Sequence, residues 1–163
     1  MPLSMSQSSI PLFVRALRNL SEILKKGEEH PNAASFVEAR LAPDMLTLAG
    51  QIQRASDAAK GCAARLSATQ APSFPDTEKT FPELQERIRK TIDYLKSVHA
   101  SQIDGSEERA ISFKAGPNEY NFTGVQYLQG FAIPNFFFHV TTAYAILRHK
   151  GVALGKMDFL GTR

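Results

Sequence analysis

Four histidines and one cysteine carry most of the metal-ligating and nucleophilic potential of this chain: His30, His99, His139, His149 and Cys62. Cys62 falls on an apolar stripe in an alanine-rich segment, where a thiol behaves as a small hydrophobe and not as an activated thiolate. His30 precedes Pro31 in a polar connection and belongs on the surface. His99 lies near the end of a helical pattern, where a protonated imidazole complements the helix dipole. His139 follows Phe136, Phe137 and Phe138 in the most apolar stretch. A buried imidazole there needs a partner for each nitrogen: a hydrogen bond, a water or a metal. A satisfied core histidine is the default. His149 is ten residues further on, about 80° round a regular helix and roughly 15 Å along it, so the two are alternative ligands and not a shared site. Asp44 and Gln51 stand one heptad apart, flanking a neighbouring stripe. With Phe136, His139 and Tyr144 they outline an expected inter-helix pocket, in which Asp44 or Gln51 would complete a weak divalent site (Zn, Ni, Fe or Mn). Asp44 has a plainer use as a first-turn carboxylate. Asp57 and Lys60, three apart, pair on the surface. The phenylalanines 131 and 136–138 line a ligand pocket or simply fill the core. No glycine-rich phosphate loop, Cys-x-x-Cys, His-Glu-x-x-His or nucleophile elbow is present.

Elements that would position these groups follow from periodicity. Ile10, Phe13, Leu17, Leu20 and Leu24 recur at helical spacing, and Gly27 suits a left-handed cap after Lys25 and Lys26. A second helix is expected to open within Arg40–Met45, with Pro43 and Asp44 in its first turn and a stripe of Met45, Leu48, Ile52, Ala55, Ala59, Cys62 and Leu66. Its alanines would let a neighbour approach closely. Residues 68–80, with two prolines, predict an exposed loop. Thr80-Phe-Pro-Glu83 has capping-box spacing and starts a third helix along Phe81, Leu84, Ile88, Ile92, Leu95 and His99. Ile111 and Phe113 alternate with polar residues, Gly116–Glu119 offers a turn, and Tyr120-Asn-Phe122 alternates again: a short β-hairpin. Thr123-Gly-Val-Gln126 caps a fourth helix that Pro134 must kink and Gly151 stops. Its inward stripe is Phe136, Val140, Ala143 and Leu147. The pattern is an all-α, up-down four-helix bundle with a hairpin between the third and fourth helices, one domain over 1–163.

The chain has 163 residues, 43% hydrophobic and 21% charged, which suits one globular core. Positive and negative side chains balance through residue 147. The net charge of +3 comes from Arg148, Lys150, Lys156 and Arg163 against Asp158. A basic tail-end is not a nucleic-acid face, and no nucleic-acid partner is expected. The N-terminus lacks the basic and apolar regions of a secretory signal. Tyr120–Leu147 is uncharged and long enough to span a bilayer, but its amides, His139 and Pro134 fit a buried helix better.

Several blocks carry a resemblance: Arg40-Leu-Ala-Pro-Asp-Met45, Pro134-Asn-Phe-Phe-Phe-His-Val-Thr-Thr-Ala-Tyr144, Leu147-Arg-His-Lys-Gly151 and Gly155-Lys-Met-Asp-Phe-Leu-Gly161. They are similar to a bacterial and fungal family of unknown function within the DinB/YfiT-like superfamily, whose better-known members are metalloenzymes. The resemblance implies a four-helix bundle, a homodimer and a cytoplasmic protein. Those members hold a divalent metal with three histidines, one on the second helix and two spaced four apart on a later one. Here the second helix has no histidine, and Ala145 stands four before His149, so that motif keeps one ligand, whereas a catalytic site needs about three. The resulting expectation is a helical-bundle protein binding a small molecule or a weak divalent metal near His139. The alternatives are a metal-independent interaction module using the basic C-terminal segment or the hairpin, and a thiol-dependent transferase with altered ligands.

Overall fold

The first helix, α1, covers Ile10–Glu28 and buries Phe13, Leu17, Leu20 and Leu24, as its spacing predicts. The computed structural model describes residues 3–161. Gly27 is not a left-handed cap, because the helix runs on through Glu28 to a right-handed Glu29. It is instead a close-approach point: a Cβ there would lie 3.1 Å from Leu147 and Phe81.

The second helix, α2, covers Leu48–Ser67 and starts later than the Pro43–Asp44 pattern suggests. Thr47 is the better cap: its backbone is extended and its hydroxyl accepts from the Gly50 N–H at 3.1 Å. Leu48 N–H and Ala49 N–H donate to the carbonyls of Ala39 and Val37, so preceding chain satisfies the first turn. Residues 40–47 form turns closed by an isolated Arg40–Thr47 bridge. Asp44 therefore sits exposed before the helix and not in it.

After α2 the chain turns through Ala68 in the left-handed conformation. Residues 68–80 then run back along the helix that precedes them. Pro72 O accepts from Lys60 at 3.1 Å, Asp76 pairs with Arg54, and Glu78 accepts from Gln53 at 2.9 Å. The third helix, α3 (Phe81–Ser97), thus begins beside the N-terminal half of α2 and runs parallel to it, so these two helices depart from the expected up-down order because the intervening segment carries the chain back along α2. Thr80 and Glu83 form the expected capping box. His99 lies beyond α3, exposed at the start of a one-turn helix, α4 (Ala100–Ile103).

Strands β1 (Ile111–Ala115) and β2 (Asn118–Phe122) pair antiparallel, Ile111 opposite Phe122 and Phe113 opposite Tyr120. Gly116, at φ 58°, supplies the left-handed residue that a two-residue hairpin turn requires. The fourth long helix comprises α5 (Gly124–Tyr127), one π turn (Leu128–Ala132) and α6 (Ile133–His149). Thr123 and Gln126 cap it as a box. Pro134 neither breaks nor sharply ends it. Ile133 N–H reaches back five residues to Leu128 O, and this wider turn absorbs the proline. Gly124 has no room for a side chain, since a Cβ would fall 1.9 Å from Ser106 O. Gly151, at φ 91°, closes the helix as predicted, with Val152 N–H on Leu147 O at 3.1 Å.

Around the bundle the neighbours are α1–α3, α3–α2, α2–α6 and α6–α1, joined by one cluster of buried apolar side chains. The basic tail-end is not free. A last short helix, α7 (Lys156–Leu160), folds onto α1. There Lys26 pairs with Asp158 at 2.6 Å, and Arg15 and Asn19 donate to the carbonyls of Leu160 and Phe159. Arg163 lies outside the described residues.

Candidate functional site

Along α2, Gln51, Arg54, Ala58, Gly61 and Arg65 recur at steps of three and four, one face turned towards α6 and the hairpin. On α6, Asn135 and His139 are one turn apart. The hairpin supplies Phe113, and the start of the fourth helix supplies Tyr127 and Phe131. These groups, Gln51 and Gly61 excepted, border an open pocket of about 420 Å³.

His139 is held from α2. Its Nδ1 lies 2.7 Å from Gln51 Oε1, and Gln51, itself buried, directs its amide nitrogen to Leu46 O at 3.4 Å. That amide orientation makes Nδ1–H the donor, a tautomer assigned from the network. The lone pair of the neutral ring is then on Nε2, which has no hydrogen bond among the described residues. Burial, followed by the charge of Arg54, lowers the His139 pKa from 6.5 to about 4. The ring is neutral at pH 7.

Arg65 lies deeper along the same face. Its Nη1 donates to Tyr127 Oη at 3.0 Å, and its guanidinium sits 4.3 Å from the centre of the Phe113 ring. Burial raises the Tyr127 pKa to about 12, so the phenol stays neutral and is no counter-ion. Among the described residues no carboxylate is within ion-pair distance of Arg65, whereas Arg54 pairs with both Asp57 and Asp76.

Of the residues singled out from sequence, the structure joins Gln51 and His139. Asp44 is exposed on the turn before α2 and does not border this pocket. Phe136 is fully buried against Phe13, at 4.8 Å between ring centres, and belongs to the core. Tyr144 points another way and packs edge-on against Phe159 of α7. His149 is exposed at the C-terminal end of α6, where it complements the dipole. Asn135, Arg54, Arg65, Tyr127 and Phe113 are the residues that sequence reasoning did not assign. Asp57 and Lys60 do pair, at 3.1 Å, but Lys60 is buried.

The donor set does not fit a metal centre. Among the described residues no three His, Cys, Asp or Glu side chains converge. Cys62 is buried, and burial lifts its thiol pKa to about 12. His139 already uses Nδ1, and the nearby Arg54 repels a cation.

Residues 5–160 match the family model described as a domain of unknown function, DUF1993. The chain belongs to that family. A crystal structure of a DinB family member from Shewanella denitrificans is similar to this DUF1993 chain at 34% identity, over 97% of this chain and 92% of that one, with a TM-score of 0.86. The assignment to the DinB/YfiT-like superfamily and its helical fold follows. No curated protein matches. His139 meets Gln51 of the second helix and lines the pocket with Asn135, four residues before it, whereas Ala145 and His149 do not border it. Gln51 and Asn135 are amides.

Proposed function

We propose that this DUF1993 protein binds a small organic molecule in the pocket between α2, α6 and the hairpin, through protein groups alone. One observation carries the reading: a neutral histidine, locked by a buried glutamine, presents an unused Nε2 to a concave site with aromatic walls. Convergent polar groups within an aromatic-lined cleft are what small-molecule sites share. Asn135 offers an amide to the pocket and Gln51 holds His139 from behind, where a metal site would need ionisable or imidazole donors, so metal-dependent thiol transfer finds no support in the donor set. A fragment screen by NMR in chelator-treated buffer tests this. Binders should shift the His139 ring and the Phe113 and Phe131 rings together. If no fragment moves those signals, or if stoichiometric zinc moves them first, the reading fails.

A homodimer is supported by a separate feature. Less than half of the most apolar stretch of Gly124–His149 is buried. Phe138, 55% exposed, projects beside a hollow edged by Leu41, Thr141 and Ala145. A knob and a hollow on one patch are what a two-fold contact with a second copy requires. Sedimentation should give a dimer that Phe138→Ser converts to monomer; a monomeric wild type rejects it.

A further inference from the structure

The polar half of the pocket has a charge that its own walls leave unanswered. Arg54, Arg65 and Lys114 border it, and the one acidic side chain there is Asp57. Asp57 is already committed to Arg87 at 2.9 Å, Lys60 at 3.1 Å and Arg54 at 3.3 Å. Arg65 is the extreme case. Its guanidinium lies against the Phe113 ring, and its one side-chain hydrogen bond among the described residues is to the neutral phenol of Tyr127. A guanidinium with an aromatic ring on one face still offers several in-plane N–H donors, and these suit an oxyanion. Beside it, the Phe131 ring is nearly parallel to Tyr127 (19°, 6.0 Å between centres). An occupant must therefore present negative charge at one end and a flat apolar body at the other.

We infer that the pocket selects a small organic anion, its carboxylate or phosphate held by Arg65 and its planar body laid against Phe131, with His139 bordering the same pocket. This rests on the small-molecule reading above and specifies the ligand class. His139 supports it in a second way. The charged groups facing it are Arg54, Asp57 and Arg65 from α2 and Lys114 from β1, with Asp57 already paired. An added anion reverses the local excess of positive charge and should favour the imidazolium.

Gly61 provides a variant that tests Arg65 without removing it. The Arg65 head folds back over Gly61, so a Cβ there would fall 2.5 Å from Nη1 and push the flexible guanidinium aside. Within a helix Gly→Ala is otherwise favourable by about 0.5–1 kcal/mol, so Gly61→Ala should fold at least as well as the wild type.

The experiment is an NMR titration of the full chain with benzoate, phenyl phosphate and benzyl alcohol. The first two separate carboxylate from phosphate, and the third keeps the ring without the charge. At least one anion should bind about tenfold or more tightly than benzyl alcohol, in line with a charge-assisted pair in a partly desolvated site. Arg65→Met should abolish that preference while leaving benzyl alcohol within about twofold, and Gly61→Ala should weaken the anion about threefold or more. Saturation with the anion should raise the His139 titration midpoint by about one unit. If benzyl alcohol binds as well as both anions, or the preference survives Arg65→Met, the anion assignment is wrong while the pocket reading stands. If none of the three probes binds, both fall together.

Discussion

Arg87 and Arg65 are two arginines of the same bundle, each set against an aromatic ring and each pointing off a helix into a loop-covered hollow, yet their surroundings differ. Arg87 is 1% exposed and meets three carboxylates: Asp57 at 2.9 Å, Asp76 at 2.9 Å and Glu78 at 3.1 Å. Phe74 lies 5.9 Å from it and 4.0 Å from Lys60. Arg65 meets a phenol and a phenylalanine. The first is a closed knot in which the strap of residues 68–80 is tied to α2 and α3. The second is an open valence. An interior cation with its counter-ions supplied serves the fold, and one without them marks a place where something is to be added.

The largest expected effect breaks the knot. Arg87→Leu leaves Asp57, Asp76 and Glu78 facing one another with fewer cations, and should cost about 3 kcal/mol in urea unfolding. Next comes pH. The unfolded chain protonates His139 near pH 6.5 and the folded chain only near 4. Its stabilising contribution is thus complete above about pH 6.5 and is lost as pH falls towards 4, by about 1–2 kcal/mol for a ring that solvent still partly screens. His139→Leu should flatten the stability profile in that window; a profile that keeps its slope would place the effect elsewhere. Asp76→Asn, at a half-exposed position, should cost about 0.5–1 kcal/mol. The last sharpens the contrast: Arg65→Met should cost no more than about 1 kcal/mol, because the Tyr127 hydroxyl loses its partner but no carboxylate is orphaned. A loss comparable to that of Arg87→Leu would make the two arginines alike and remove the contrast.

The bundle was legible because its signals are local. The stripes of α1 and α3, both threonine capping boxes and Gly151 are each read within a few residues. The start of α2 was not, because Thr47 competes with Pro43–Asp44 and wins through carbonyls lent by Val37 and Ala39. At the site, Gln51 and His139 could be paired since both flank inward stripes. Arg65 gave no such hint: on sequence it is one more arginine near a helix end. Only the hairpin, nearly fifty residues later in Phe113, shows what covers it. The Arg87 knot is invisible for the same reason, its carboxylates coming from another helix and a proline-bearing loop. Asn135 was readable in principle, four before His139 on one face.

The single π turn at Leu128–Ala132 is also a phase device. Each residue of an α-helix advances the side-chain direction by about 100°, so a one-residue insertion rotates everything beyond it by that angle relative to an uninterrupted helix. Asn135 and His139 lie just beyond the insertion, while Tyr127 and Phe131 lie before or within it. The wide turn is therefore what allows one helix to aim an aromatic wall and a polar pair into the same hollow. Deleting one residue between 128 and 132 would leave both halves helical but put them out of step, turning the histidine away from Gln51 without touching either residue.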